Sequence, residues 1–162
     1  MNKAIKNLLE NYELQTFDDY EIALKEIVQQ LALLGLWRSK FYEQAAFYGG
    51  TALRLFYGLG RFSEDLDFSL LKKNEDFDLL PFLKAIAKEV ESFGFSFAVE
   101  KKDKALQSPV ESAFIKGNTR VNLLIVEAGD NIIKGFAKNK KIKIKLELDT
   151  GPPPGSQYIM DP

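Results

Sequence analysis

Residues 47–70 read FYGGTALRLFYGLGRFSEDLDFSL, and the reading of this stretch decides the fold. It breaks into a strand end, a double glycine, a short helix, a loop and a second strand. Gly49 and Gly50 lack Cβ atoms where the backbone must turn sharply or approach a ligand closely. Thr51 is expected to cap a helix over Ala52–Tyr57, whose free first-turn N–H groups would attract an anion such as phosphate. Beyond the loop, Asp65 and Asp67 stand two residues apart, which puts both carboxylates on one face of a strand and Leu66 and Phe68 on the other. A phosphate cradle facing paired carboxylates points to metal-assisted chemistry on a nucleotide.

The composition narrows that chemistry. With 162 residues, 46% of them hydrophobic and thirteen of them phenylalanine, the chain can bury one core without staples. It has no cysteine and no histidine. Zinc held by thiolate or imidazole, cysteine nucleophiles and a Ser-His-Asp triad are therefore excluded. The remaining carboxylates suit a hard cation, Mg²⁺ or alternatively Mn²⁺. A formal net charge of −1 gives no global attraction to nucleic acid, so any polynucleotide needs a local patch. Lys134, Lys138, Lys140, Lys141, Lys143 and Lys145 supply one, with the protection of a sheet edge as the plain alternative. The N-terminus is too polar for a signal peptide and no apolar run approaches a membrane span, so a cytoplasmic protein with no membrane contact is expected.

Outward from the central stretch, Asp18 or Asp19 is expected to cap a helix over about residues 20–34, broken at Gly35, with Trp37 as a packing anchor or, alternatively, part of a partner interface. A short helix over Ser39–Gln44 leads into a strand over Ala45–Tyr48, and Leu66–Leu70 forms the next strand. Pro81 starts a helix over about 79–92 that Gly94 stops. Strands are expected over Phe95–Lys101, Ser112–Lys116 and Val121–Glu127, a short helix somewhere in 128–140, and a strand over Ile142–Thr150. In that last strand the apolar residues Ile142, Ile144, Leu146 and Leu148 share one face, and Lys143, Lys145, Glu147 and Asp149 share the other. The expected organisation is a single domain over 1–162: N-terminal helices to about residue 44, a core over about 45–150, and a Pro-rich tail over 151–162.

GGTALRL followed by RFSEDLDF resembles motif I of the nucleotidyltransferase-type toxins of abortive-infection systems, the AbiEii/AbiGii family of the polymerase-β-like superfamily. The likeness extends upstream through LLGLWRSKFYEQAAFYGG and downstream to KIKLELDTGPPPG, and so covers most of the chain. It implies an α/β (α+β) fold, a small mixed and mostly antiparallel sheet flanked by helices. It also implies a Mg²⁺-dependent transfer of a nucleotidyl group from a nucleoside triphosphate to a protein or an RNA acceptor, such as a tRNA-like molecule, by a toxin paired with a cognate antitoxin. Asp65 and Asp67 would bridge the cations, and a third acid from the neighbouring strand, either Glu147 or Asp149, would complete the site. Gly49, Gly50 and Thr51 would contact the triphosphate. Ser63 would either hydrogen-bond phosphate or fix the loop, and Arg54 and Arg61 are phosphate clamps or surface ion pairs. The family's helical C-terminal region, with its catalytic lysine and Arg-Asp-x-Tyr-Asp-like stretch, has no counterpart before Pro162. Two alternatives follow: a catalytically incomplete nucleotide- or partner-binding module of the same fold, and a metal-dependent phosphohydrolase.

Overall fold

The computed structural model describes residues 1–58, 60, 62–103 and 108–152, the side chain of Phe56 excepted. The expected Pro-rich tail lies almost wholly outside them. Six α-helices and five strands are described: α1 Lys3–Leu9, α2 Phe17–Arg38, β1 Ala45–Tyr48, α3 Gly49–Tyr57, β2 Leu66–Leu70, α4 Leu80–Ser92, β3 Ala98–Lys101, β4 Val110–Asn118, α5 Thr119–Ile125, α6 Asp130–Gly135 and β5 Lys141–Asp149. The strands form one mixed sheet in the order β1-β2-β5-β4-β3. Only β2 and β5 run parallel; the other three pairings are antiparallel.

Period-two alternation makes the sheet two-faced. Leu66 and Phe68 of β2, Ala113 and Ile115 of β4, and Ile142, Ile144, Leu146 and Leu148 of β5 are all 0% exposed. They meet Leu24, Ile27, Val28 and Leu31 of α2 and Leu83, Ile86 and Val90 of α4 in one core. An aromatic group closes the β1–β2 side, where Phe41 meets Phe68 edge-on at 5.2 Å and Phe82 at 5.1 Å. No described helix is long and apolar enough to cross a membrane.

Several local expectations are corrected. The long helix begins at Phe17 under Thr16, whose hydroxyl oxygen accepts from Asp19 N–H while the Asp19 side chain accepts from Thr16 N–H, a capping box. It does not break at Gly35. A Cβ there would lie 2.8 Å from the Ala85 carbonyl oxygen, so this glycine marks the close crossing of α2 over α4. Trp37 is no packing anchor: 67% of it is exposed. The segment expected as a helix over 39–44 holds only a 3-10 turn over Phe41–Glu43, and the strand expected from Phe95 begins at Ala98. Residues 119–125 form helix α5 and not a strand, because the Asn118 side chain accepts from Val121 N–H and starts a turn there. The preceding strand β4 is correspondingly longer, ending at Asn118.

Candidate active site

The site lies on the sheet face away from the core, where β1 turns into α3. Tyr48 is still extended, and Gly49 then takes φ +88°, a left-handed conformation that starts the helix without a side-chain cap. A Cβ on Gly49 would lie 2.6 Å from Asp67 Oδ2, so the carboxylate presses against the first residue of α3. Gly50 faces Ser63 Oγ in the same way, at 3.0 Å. The helix start and the loop before β2 are thus in contact through the two glycines.

Sheet register then sets out a row. Asp67 is opposite Tyr48 on one side and opposite Glu147 on the other, and Glu147 is opposite Ser112. Asp149 is one row further, opposite Ser69, and its Oδ1 accepts from Gly151 N–H at 2.9 Å. Asp65 stands exposed just before β2. Partial burial, then the carboxylates of Asp65 and Glu147, push the Asp67 carboxyl above the usual aspartate range, with Lys145 pulling the other way. Burial and the charges of Asp67, Asp149 and Glu147 likewise raise the Tyr48 phenol. Glu147 is turned to Lys145 in an ion pair that holds the lysine's ammonium above its ordinary value. Among the described residues, no three acidic side chains converge at coordination distance on one point.

The remaining expected residues are engaged as follows. Thr51 is not the cap of α3; it sits inside the first turn, fully buried, and its hydroxyl donates to the carbonyls of Asp65 and Ser63. Ser63 thus shares in fixing the loop through its backbone, while its Oγ faces Gly50. Arg54 forks onto Glu26 and donates from Nη1 to the Gly60 carbonyl at 2.9 Å, which turns it toward α2 and the loop. Arg61 lies outside the described residues.

A set of α2 side chains escaped the sequence reading. Gln29, 0% exposed, donates from Nε2 to the carbonyls of Ser63 and Glu64 at 2.9 and 3.1 Å. Lys25 donates to Glu64 at 3.0 Å, and buried Glu26 accepts from Arg54 and from the Tyr12 hydroxyl. Together they pin the backbone that leads into Asp65 and Asp67. The signal available in the sequence was two polar residues, Glu26 and Gln29, within the otherwise apolar buried stripe of α2.

Acids thus stand on two interior, parallel strands of a small mixed sheet, with a glycine-led helix start against one of them. The family model described as "Nucleotidyl transferase AbiEii toxin, Type IV TA system" matches residues 31–160. The chain belongs to that family, the AbiEii nucleotidyl transferase toxins. Two solved structures from Helicobacter pylori resemble it. JHP933 is 20% identical over 86% of this chain and 49% of its own, with a TM-score of 0.48. A second, described as a candidate nucleotidyltransferase, is 21% identical over 85% of this chain and 49% of its own, with a TM-score of 0.43. The chain thus spans about half the length of the solved structures it resembles. No curated protein matches it.

Proposed function

We propose that the chain binds a nucleoside triphosphate together with Mg²⁺ or Mn²⁺ and transfers a nucleotidyl group to an RNA or protein acceptor, as a toxin with a cognate antitoxin for partner. The observation that carries this reading is the contact between the start of α3 and Asp67, where even a methyl group on Gly49 would collide with the carboxylate. In this reading the start of α3 would serve the phosphates and Asp67, beside it, the cation.

The oxygen-only chemistry of the acids suits a hard divalent cation, which would have to draw together side chains that do not converge on one point as they stand. Asp67 already feels two neighbouring carboxylates. Asp65, Asp67 and Glu147 would hold the cation. Glu147 is preferred to Asp149 because it stands directly opposite Asp67, whereas Asp149 is a row away and occupied by Gly151 N–H. When bound, a divalent cation supplies the positive charge that lets clustered acids and a triphosphate share one site. The chain's own residues do the positioning. First-turn N–H groups of α3 lack intrahelical partners and would be free to meet the phosphates, and Thr51 and Gln29 hold the loop that leads into Asp67.

Calorimetric titration of each nucleoside triphosphate with Mg²⁺ or Mn²⁺ tests the reading. Asp67→Asn is expected to abolish metal-dependent binding and Glu147→Gln to weaken it more than Asp149→Asn does. Equal binding by wild type and Asp67→Asn would overturn the site.

A further inference from the structure

Among the described residues β5 pairs with β4 along its whole length but with β2 only over Leu146–Asp149, so Lys141, Lys143 and Lys145 lie on the half with one partner strand, whereas Lys116 of β4 is paired on both sides and protects no edge. Lys141, Lys143 and Lys145 project from the outer face of β5, and Lys143 stands directly opposite Lys116. Like charges at directly opposite sheet positions destabilise the pairing. Both ammonium groups nevertheless converge on the ring of Phe114, at 4.1 Å for Lys143 and 5.2 Å for Lys116. Among the described residues neither has a carboxylate within ion-pair distance, and Glu100, opposite Phe114 on β3, does not bridge to them. Two cations are therefore held side by side with no ion-pair partner among the described residues.

Their placement says what the counter-charge is. Alternate residues of a strand lie about 7 Å apart, so Lys145, Lys143 and Lys141 stand roughly 7, 13 and 20 Å from Glu147 along one line. A triphosphate seated at Asp67 does not reach the far end of that line. A polymer with one phosphate per repeat does, and an extended single strand matches the step. We propose that the outer face of β4 and β5 seats a single-stranded RNA, its backbone phosphates on Lys116, Lys143 and Lys141 with Phe114 holding the clamp, and its end directed toward Asp67. The direction of the strand rests on the nucleotidyl-transfer reading; the binding of RNA does not.

Fluorescence anisotropy with a short labelled single-stranded RNA, repeated over a series of salt concentrations, tests the surface in the full chain. The double variant Lys116→Gln, Lys143→Gln is expected to bind at least about tenfold more weakly and to lose about 1.4 from the salt slope, two single-strand phosphate contacts. Lys116→Arg, Lys143→Arg should bind like wild type, which separates lost charge from lost folding. Calorimetry with Mg²⁺ and a nucleoside triphosphate should show the Gln variant unchanged, whereas Asp67→Asn should lose the nucleotide and keep the RNA. Unchanged RNA affinity and salt slope in the Gln variant would overturn the proposal, as would tighter binding of duplex RNA or of an acidic peptide. Lysine-dependent RNA binding in a wild type that binds no nucleotide would uphold this surface and sink the nucleotidyl-transfer reading alone.

Discussion

The two ends of β5 differ on one face and agree on the other. Inward, Ile142, Ile144, Leu146 and Leu148 are equally and completely buried. Outward, the strand begins with Lys141 and Lys143 opposite Asn118 and Lys116, and ends with Glu147 and Asp149 opposite Asp67 and Ser69 on β2. Each end gathers charge of one sign, tempered by Lys145 beside Glu147 and by the Phe114 ring between Lys116 and Lys143, and the repulsion within each gathering by itself works against folding. The core face supplies the stability that tolerates both. On the proposed reading, outside counter-charges would relieve both: a cation at the acidic end and a polyanion at the basic one.

The largest effect is expected where the two ends share support. Leu146→Ala opens a cavity beneath the middle of the strand and should cost about 2–5 kcal/mol in urea unfolding. Nucleotide and RNA binding should then fall along the same unfolding curve. If one persisted at urea concentrations where the other had gone, the single platform would be the wrong picture. Gly49→Ala is expected to cost less, about 1–3 kcal/mol, for a left-handed backbone and a Cβ that must displace the Asp67 carboxylate. It should separate the ends, abolishing nucleotide binding while RNA anisotropy stays at wild-type values.

The acidic end was the more legible of the two in the sequence, for a physical reason. Gly49, Gly50, Asp65 and Asp67 lie within one short stretch, where alternation and chain reversal are local signals. Strands β1 and β2 fall on their expected residues, and β5 is displaced by one. What holds that end in place was not legible, since Gln29 reaches Ser63 across 34 residues and only the packed structure brings them together. Helix α5 was misread because its apolar residues, Val121, Leu123 and Ile125, alternate as a strand's would; the Asn118 side chain and the bond from Thr119 N–H to the Lys140 carbonyl settle the matter. Gly35 looked like a helix stop for the same reason: its role appears only against Ala85. At the basic end the lysines were visible, and edge protection still applies to Lys141, Lys143 and Lys145, because among the described residues that half of β5 pairs with β4 alone.

Asp67→Asn sharpens the comparison at the acidic end through its pH dependence. Because burial and its acidic neighbours raise the Asp67 carboxyl in the folded protein, the native state binds more protons than the unfolded chain between the ordinary aspartate value and that raised one. Stability therefore falls as pH rises through that window and stays lower above it. Asparagine removes this contribution. Thermal melts should show the variant more stable at neutral pH, by less than about 1 kcal/mol given how much solvent screens a half-exposed group, and no different below the window. A variant less stable at neutral pH would mean that the carboxylate already has a stabilising partner, and the acidic end would lose its frustration.

The smallest effect tests the basic end. Lys116→Gln removes the weaker of the two contacts with Phe114 and leaves Lys143 without a like charge across from it. If repulsion outweighs the lost ring contact, the variant gains a few tenths of a kcal/mol at low salt, within the range known for cross-strand charge pairs. The gain should shrink as salt screens the charges, and Lys116→Glu, which turns repulsion into attraction, should gain more and lose it more steeply. The sign at low salt decides the point. A loss of stability in both variants would show that the ring alone compensates the two ammoniums, so that no external anion is needed to explain why they stand opposite one another.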